Sequence, residues 1–329
     1  MCTRVLWNDN KVAVVVGRTM DWPESTEPLL AAFPRGTRRD GRGTQKEVTN
    51  PFAWTSRYGS VAVTLYGNVG TADGMNEAGL AAHLLYLRAA DFGPLEPEKP
   101  AVHAGLWAQY VLDTARTVTE ALERLDEVQI VMTEAHGRAA TVHLALDDAS
   151  GDSAIIEHIG GRLVVHHGRQ FTVMTNDPTF DEQLALLETQ DFSKPSRDLP
   201  LPGNVNPVDR FQRAAYFQAL LPEPADERAA IAGVLAIARN VSVPFGAPYG
   251  EFGIYNTEYR TVANLTNRRY FFELATAHSV IWIDFEKLDL GAGTPIRALD
   301  PYDVTLAGDV TARLSTDAAP HIPVESRAP

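Results

Sequence analysis

Cys2 stands directly behind the initiator methionine and is the only cysteine in the 329 residues. Methionine is normally trimmed when the second side chain is small, and trimming would leave one residue carrying both a thiol and a free α-amine. Those are the two parts of a self-contained nucleophile. With ordinary pKa values near ~8.5 for the thiol and ~7.7–8.0 for the amine, the amine can take the thiol proton close to neutral pH. Downstream, the block Gly17-Arg18-Thr19-Met20-Asp21-Trp22 supplies a cation and an anion. Arg18 would stabilise a thiolate and attract an acidic substrate. Asp21 would hold the amine, as a third group does in other nucleophile–base pairs. The plain alternative is a frayed terminus followed by a surface turn whose ion pair is worth about 0–1 kcal/mol.

For this chemistry the chain must fold back on itself at once. Val5 to Trp7 and Lys11 to Val16 read as two strands joined by the turn Asn8-Asp9-Asn10. Val12 to Val16 is a nearly continuous β-branched run, which predicts burial on both faces. A hairpin of equal arms returns Arg18 and Asp21 to the side of Cys2.

These residues carry a resemblance. Met1-Cys2-Thr3 with Gly17 to Trp22 resembles the start of the choloylglycine hydrolase family, N-terminal nucleophile hydrolases that include bile salt hydrolases and penicillin V acylases. Met75-Asn76-Glu77-Ala78-Gly79-Leu80 is similar to that family's Met-Asn-Glu-x-Gly-Leu segment. The alignment puts Tyr86 where bile salt hydrolases have an oxyanion-hole asparagine, and a tyrosine there is similar to the penicillin V acylase branch. Whether its side chain or its backbone is the donor stays open. Thr175-Asn176-Asp177-Pro178 is similar to the Thr-Asn-x-Pro motif, so the resemblance gives Asn176 an oxyanion-hole role. Read by itself, Asn176 is equally suited to cap a helix over Thr179 to Leu187, and Asp177 could cap in its place. Leu201-Pro202-Gly203 followed by Asp209-Arg210-Phe211 looks like Leu-Pro-Gly…Ser-Arg-Phe with aspartate in place of serine. The resemblance lays Arg210 against the cysteine; the plain reading is a helix-terminal arginine. Trp22 and Tyr86 are the expected substrate contacts.

The resemblance implies an α+β fold, a four-layer αββα sandwich, with no metal or organic cofactor. It also implies hydrolysis of small N-acyl amides such as penicillin V or acyl homoserine lactones, and a homo-oligomer, often a tetramer. Conjugated bile salts, dipeptides cleaved by the same N-terminal chemistry, and a non-catalytic binding role are the rival readings.

Elsewhere the chain reads as supporting structure. Pro23 to Pro51 is a polar stretch with Arg35, Arg38, Arg39 and Arg42, expected as a long loop. Ser60 to Tyr66 reads as a strand, Asp73 to Gly79 as a turn and Leu80 to Leu87 as a buried strand. Val102 to Arg116 and Val118 to Leu125 have helical spacing. Ala139 to Leu146, Ser153 to Ile159 and Arg162 to His167 read as strands, the last two joined at Gly160-Gly161. His166-His167 lacks a third metal ligand at suitable spacing and points to both faces of its strand, so it reads as structural, with His143 and His158. Asp191 to Val208 reads as a surface loop, followed by helices over Arg210 to Leu221 and Asp226 to Ile237. Tyr259 to Ala263, Arg269 to Ala275 and Ser279 to Asp284 are the last expected strands. The chain is expected to form one domain over 1–329, with a mobile tail from about 317.

Composition sets the limits. A 45% hydrophobic content allows a large core, and a net charge of −13 argues against nucleic acid or an anionic membrane as partner. A single cysteine allows no internal disulfide. No apolar stretch approaches the ~20 residues of a membrane span. As written the chain reads as cytoplasmic; an exported form follows if Met1 replaces a longer leader ahead of Cys2.

Overall fold

The computed structural model describes residues 1–43, 48–67, 70–132, 134, 135, 137–139, 141–250, 253–320 and 322. Two eight-stranded sheets dominate it. The first runs in the order Val173–Met174, Cys2–Trp7, Val15–Trp22, Ile254–Asn264, Arg269–Leu274, Ile281–Asp284 and Gly308–Asp309, with Ala247–Pro248 paired to the side of Ile254–Asn264. The second runs Arg162–His167, Ser153–Ile159, Val142–Asp147, Ala81–Tyr86, Gly70–Asn76, Ser60–Leu65, Leu30–Phe33 and Arg297–Leu299. Helices α1 (Trp107–Thr114) and α2 (Val118–Leu125) cover the second sheet. Helices α4 (Pro207–Ala219) and α5 (Glu227–Asn240) cover the first, and α3 (Phe180–Glu188) leans on α4. The fold is the αββα sandwich expected from the sequence.

Strand alternation separates the apolar layers. Leu6, Val16, Met20, Val61, Val63, Met75, Leu85 and Phe272 fill the space between the sheets. On the outer side of the second sheet, Ala82, Leu84, Leu144 and Ile156 meet Trp107, Tyr110 and Val111 of α1. On the outer side of the first, Trp7, Val15 and Val262 meet Ala230 and Val234 of α5. Gly17 is required by that second contact: a Cβ there would stand 2.7 Å from Val234 Cγ1.

Several elements differ from the sequence reading. The second strand starts at Val15, not Lys11, and runs through Trp22, so the polar block is itself a strand. Polar composition suggested a turn, yet Arg18, Thr19 and Asp21 are all fully buried with partners. The expected loop 23–51 contains the strands Leu30–Phe33 and Arg38–Asp40, and Arg39 pairs with buried Asp113 at 2.7 Å. Asp73 to Asn76 is strand, and only the residues after it turn. Ala101–His103 is a strand, and after a short 3-10 turn the helix begins at Trp107. Helix α4 starts at Pro207, because Asn206 caps it by accepting from the Asp209 N–H. Past Gly291, Arg297–Leu299 closes the edge of the second sheet. The expected tail lies mostly outside the described residues. By contrast α2, Ser153–Ile159 and Arg162–His167 have the bounds read from the sequence.

Candidate active site

The first two strands meet in the register Cys2↔Met20, Thr3↔Thr19 and Arg4↔Arg18. Alternation then sends Cys2, Arg18 and Met20 toward the other sheet, and Thr3, Thr19 and Asp21 toward α4. Arg18 and Asp21 therefore approach the terminus from opposite faces. Arg18 Nη2 lies 2.9 Å from Cys2 Sγ, while its Nη1 donates to the carbonyls of Ala72 at 2.8 Å and Leu84 at 3.3 Å. Burial alone would lower the arginine pKa, but anions around it, Cys2 and Asp73 among them, raise it. The guanidinium is a fixed charge beneath the sulfur.

On the α4 side, Asp21 accepts from Thr19 Oγ1 at 3.0 Å and from Thr257 Oγ1 at 2.6 Å. Thr257 reaches it because the neighbouring strand shifts register between Thr257 and Tyr259. Arg210 projects from α4 between these groups. It donates to the Cys2 carbonyl and to Thr3 Oγ1, each at 2.6 Å, and to Asn176 Oδ1 at 2.8 Å; Asp21 Oδ2 is 3.6 Å away.

Asn176 completes the set. Its Oδ1 accepts from the Cys2 N–H at 2.7 Å, and its Nδ2 donates to the Tyr86 carbonyl at 2.6 Å. Asn176 does not cap α3; Thr179 sits at that position, its N–H donating to Glu182. Asp177 does not cap either: its carboxylate accepts from the N–H groups of Arg88 and Ala89, tying the end of the Tyr86 strand to the Asn176 turn. The Tyr86 and Trp22 rings stand 5.7 Å apart, tilted by 58°.

All six expected catalytic residues thus converge: Cys2, Arg18, Asp21, Tyr86, Asn176 and Arg210, with Trp22 at the rim. Sequence reasoning missed the threonines. Thr3, Thr19 and Thr257 hold Arg210 and Asp21, but threonine is common in strands and nothing in its type marks these three. It also missed a support beneath Asn176, although His143 was rightly read as structural. His143 Nε2 lies 2.9 Å from the Thr175 carbonyl and its Nδ1 is 2.8 Å from Glu157.

Met1 is buried beside these groups. Its terminal amine donates to the Asp21 carbonyl, and its side chain packs against Val243, Ala247 and Tyr255. Burial lowers the pKa of that amine to about 6, against the pull of Cys2 and Asp21 to raise it. Burial thus favours the neutral, proton-accepting form of this amine.

Three comparisons bear on this site. The profile of the family "linear amide C-N hydrolases, choloylglycine hydrolase family" matches residues 2–304. A penicillin V acylase of Pectobacterium atrosepticum is 37% identical over 313 residues, covering 88% of this chain and 82% of that protein. A bile salt hydrolase/transferase of Bifidobacterium longum is 28% identical over 254 residues, 70% of this chain and 77% of that one. Among solved structures, that of penicillin V acylase from Agrobacterium tumefaciens superposes with a TM-score of 0.85 at 41% identity, covering 95% of this chain and 97% of the other. Among the described residues, no helix is long and apolar enough to cross a membrane.

Proposed function

The chain belongs to the choloylglycine hydrolase family of linear amide C–N hydrolases, and from that premise we propose that it is a penicillin V acylase-like enzyme whose nucleophile is Cys2 after loss of Met1. One observation carries the reading: Cys2 presents its sulfur to a buried cation, at 2.9 Å, and its backbone nitrogen to Asn176 Oδ1, at 2.7 Å. At Cys2 the nucleophile meets its counter-charge, and the nitrogen that loss of Met1 turns into a free amine is held beside it.

The α-amine of Cys2 takes the thiol proton, and the thiolate, stabilised by Arg18, attacks the amide carbonyl. The burial that lowers the pKa of the Met1 amine favours an uncharged base at this end of the strand. The second N–H of Asn176 Nδ2, with a further donor near Tyr86, stabilises the tetrahedral oxyanion; donors of this kind are worth about 2.7–4 kcal/mol where they have been removed. The protonated amine then gives its proton to the leaving nitrogen, the C–N bond breaks, and a thioester remains on Cys2. Water, deprotonated by the same amine, attacks the thioester and releases the acid. Asp21, held by two threonine hydroxyls, and Arg210 keep the terminus in place.

Tyr86 and Trp22 favour a flat aryl acyl group over a steroid, because offset rings attract and a rigid ring blocks bulk. The family likeness also supports assembly into a homo-oligomer, with a tetramer the first state to test. A hydrolysis panel tests the reading. Penicillin V and a medium-chain acyl homoserine lactone should be cleaved with higher kcat/KM than glycocholate; a preference for glycocholate would overturn the substrate assignment.

A further inference from the structure

Behind Arg18, between the two sheets, lies a line of buried charges that the proposed mechanism does not use. Asp73 and His83 face each other across their strand pair, and His83 Nδ1 stands 2.6 Å from Asp73 Oδ1. On its other side, His83 Nε2 is 3.5 Å from Asp147 Oδ2. Asp147 in turn is gripped by Arg4, whose Nε donates at 3.0 Å and whose Nη2 reaches the second oxygen. Asp73 Oδ2 accepts from Tyr270 OH at 2.8 Å and from Thr261 Oγ1. None of Arg4, Arg18, Asp73, His83 and Asp147 is more than 1% exposed. The two carbonyls that anchor Arg18 belong to Ala72 and Leu84, the chain neighbours of Asp73 and His83.

We propose that His83 is a positioning residue for the nucleophile: by neutralising Asp73 it leaves the charge of Arg18 free to stabilise the Cys2 thiolate. Arg18 acts on two potential anions: the Cys2 sulfur, 2.9 Å from its Nη2, and Asp73, the chain neighbour of the Ala72 carbonyl that anchors its Nη1. In a low-dielectric interior an unpaired Asp73 would cancel much of the guanidinium potential at the sulfur. An imidazolium on Asp73 removes that competition. With Arg4, Arg18 and His83 positive, and Asp73, Asp147 and the Cys2 thiolate negative, the buried line is neutral only when the thiol is ionised.

The ionisation directions agree with this assignment. Burial opposes charge on His83, yet Asp73 and Asp147 raise its pKa; burial opposes charge on Asp73, yet His83 and Arg18 lower its pKa. Other ionisable groups that face the line are Tyr270 and Tyr259 from the first sheet, both pushed well above 10 by burial and so neutral. Around Cys2 on its other sides are Arg210 with Asp21 beside it, the terminal amine, and Tyr249, whose ionisation burial and the Cys2 charge oppose.

This inference rests on the reading that Cys2 reacts as a thiolate, and its test separates the two. Alkylation of Cys2 by iodoacetamide is followed against pH in chains lacking Met1, with peptide mass identifying the site. His83→Gln should raise the alkylation midpoint by about one pH unit, slowing alkylation about tenfold below the midpoint. Asp73→Asn alone should not raise the midpoint, and His83→Gln combined with Asp73→Asn should return it to within a few tenths of wild type, because the pair is removed as a neutral unit. A purely structural role predicts that the double variant is worse than either single one. If His83→Gln does not fold, a raised midpoint in Asp73→Asn still overturns the inference, and an unraised one with a wild-type midpoint in the double variant upholds it. An unmoved midpoint in folded His83→Gln overturns it outright. A wild type with no alkylation near neutral pH refutes instead the thiolate reading on which the inference stands.

Discussion

Arg18 and Asp21 sit on one strand, yet they serve the terminus from opposite faces of the sheet, because eighteen and twenty-one differ in parity. Arg18 meets the sulfur from the inter-sheet side, and Arg210 donates to the Cys2 carbonyl from the α4 side, with the Asp21 carboxylate 3.6 Å from Arg210. Residue types and the expected hairpin made the meeting of Cys2, Arg18 and Asp21 legible, but not that the polar block is itself a strand with the two charges on opposite faces. What spacing could not reveal is which residues hold Asp21, since Thr257 lies 236 positions away and arrives through a register shift. The Tyr86 ring is the residue-scale test of substrate choice. Offset aromatic contact is worth roughly 0.5–1.5 kcal/mol beyond burial, a few-fold to about tenfold in kcat/KM. Tyr86→Asn should therefore lower kcat/KM for penicillin V by that factor and lower the ratio of penicillin V to glycocholate cleavage. An unchanged ratio would show that the ring does not contact the acyl group.

At the level of elements, the site depends on how closely α5 packs over the first two strands. Gly17 stands beside Arg18, and Val234 Cγ1 occupies the space where a side chain would grow. Gly17→Val should overpack this contact and cost about 1–3 kcal/mol, read as a lower urea midpoint with an unchanged slope. Because displacement of the strand would also move Arg18, kcat should fall further than stability alone explains; full activity with full stability would contradict the packing account. Amphipathic elements with clear ends, such as α2 with its Thr117 cap, were readable from sequence to the residue. Elements built from buried polar side chains were not. The Val15–Trp22 and Gly70–Asn76 strands carry Arg18, Asp21 and Asp73, which polar composition does not mark as strand and which are stable in a core only through partners, on the opposite sheet for Arg18 and Asp73 and on the same sheet and α4 for Asp21.

For the molecule as a whole, the sandwich buries the start of its own chain. The terminal amine of Met1 lies inside, with a pKa lowered to about 6 from 8.0. Since the unfolded chain binds this proton more readily, stability of a Met1-bearing form should rise as pH climbs from about 6 to 8, and be lost as pH falls through that window, by about 3 kcal/mol in all. Urea unfolding of a sample shown by intact mass to retain Met1 checks the slope; no rise across the window would place that amine in water. The layered fold was legible because alternating and helical stretches follow one another in the order the sandwich needs. The closing strand Arg297–Leu299 was not, since three residues in a Pro- and Gly-bearing stretch give no periodicity. Every proposed step passes through Cys2 as an N-terminal nucleophile. The direct measurement is kcat/KM for penicillin V in wild type and Cys2→Ala, each with its N-terminal residue fixed by intact mass and its fold by near-UV circular dichroism. Wild type should begin at Cys2 and release phenoxyacetic acid, while Cys2→Ala should fold and lose at least about 10³-fold, as loss of a nucleophile does in other acyl-transfer enzymes. A folded Cys2→Ala that cleaves penicillin V at the wild-type rate, or full wild-type activity in chains that all keep Met1, would contradict it.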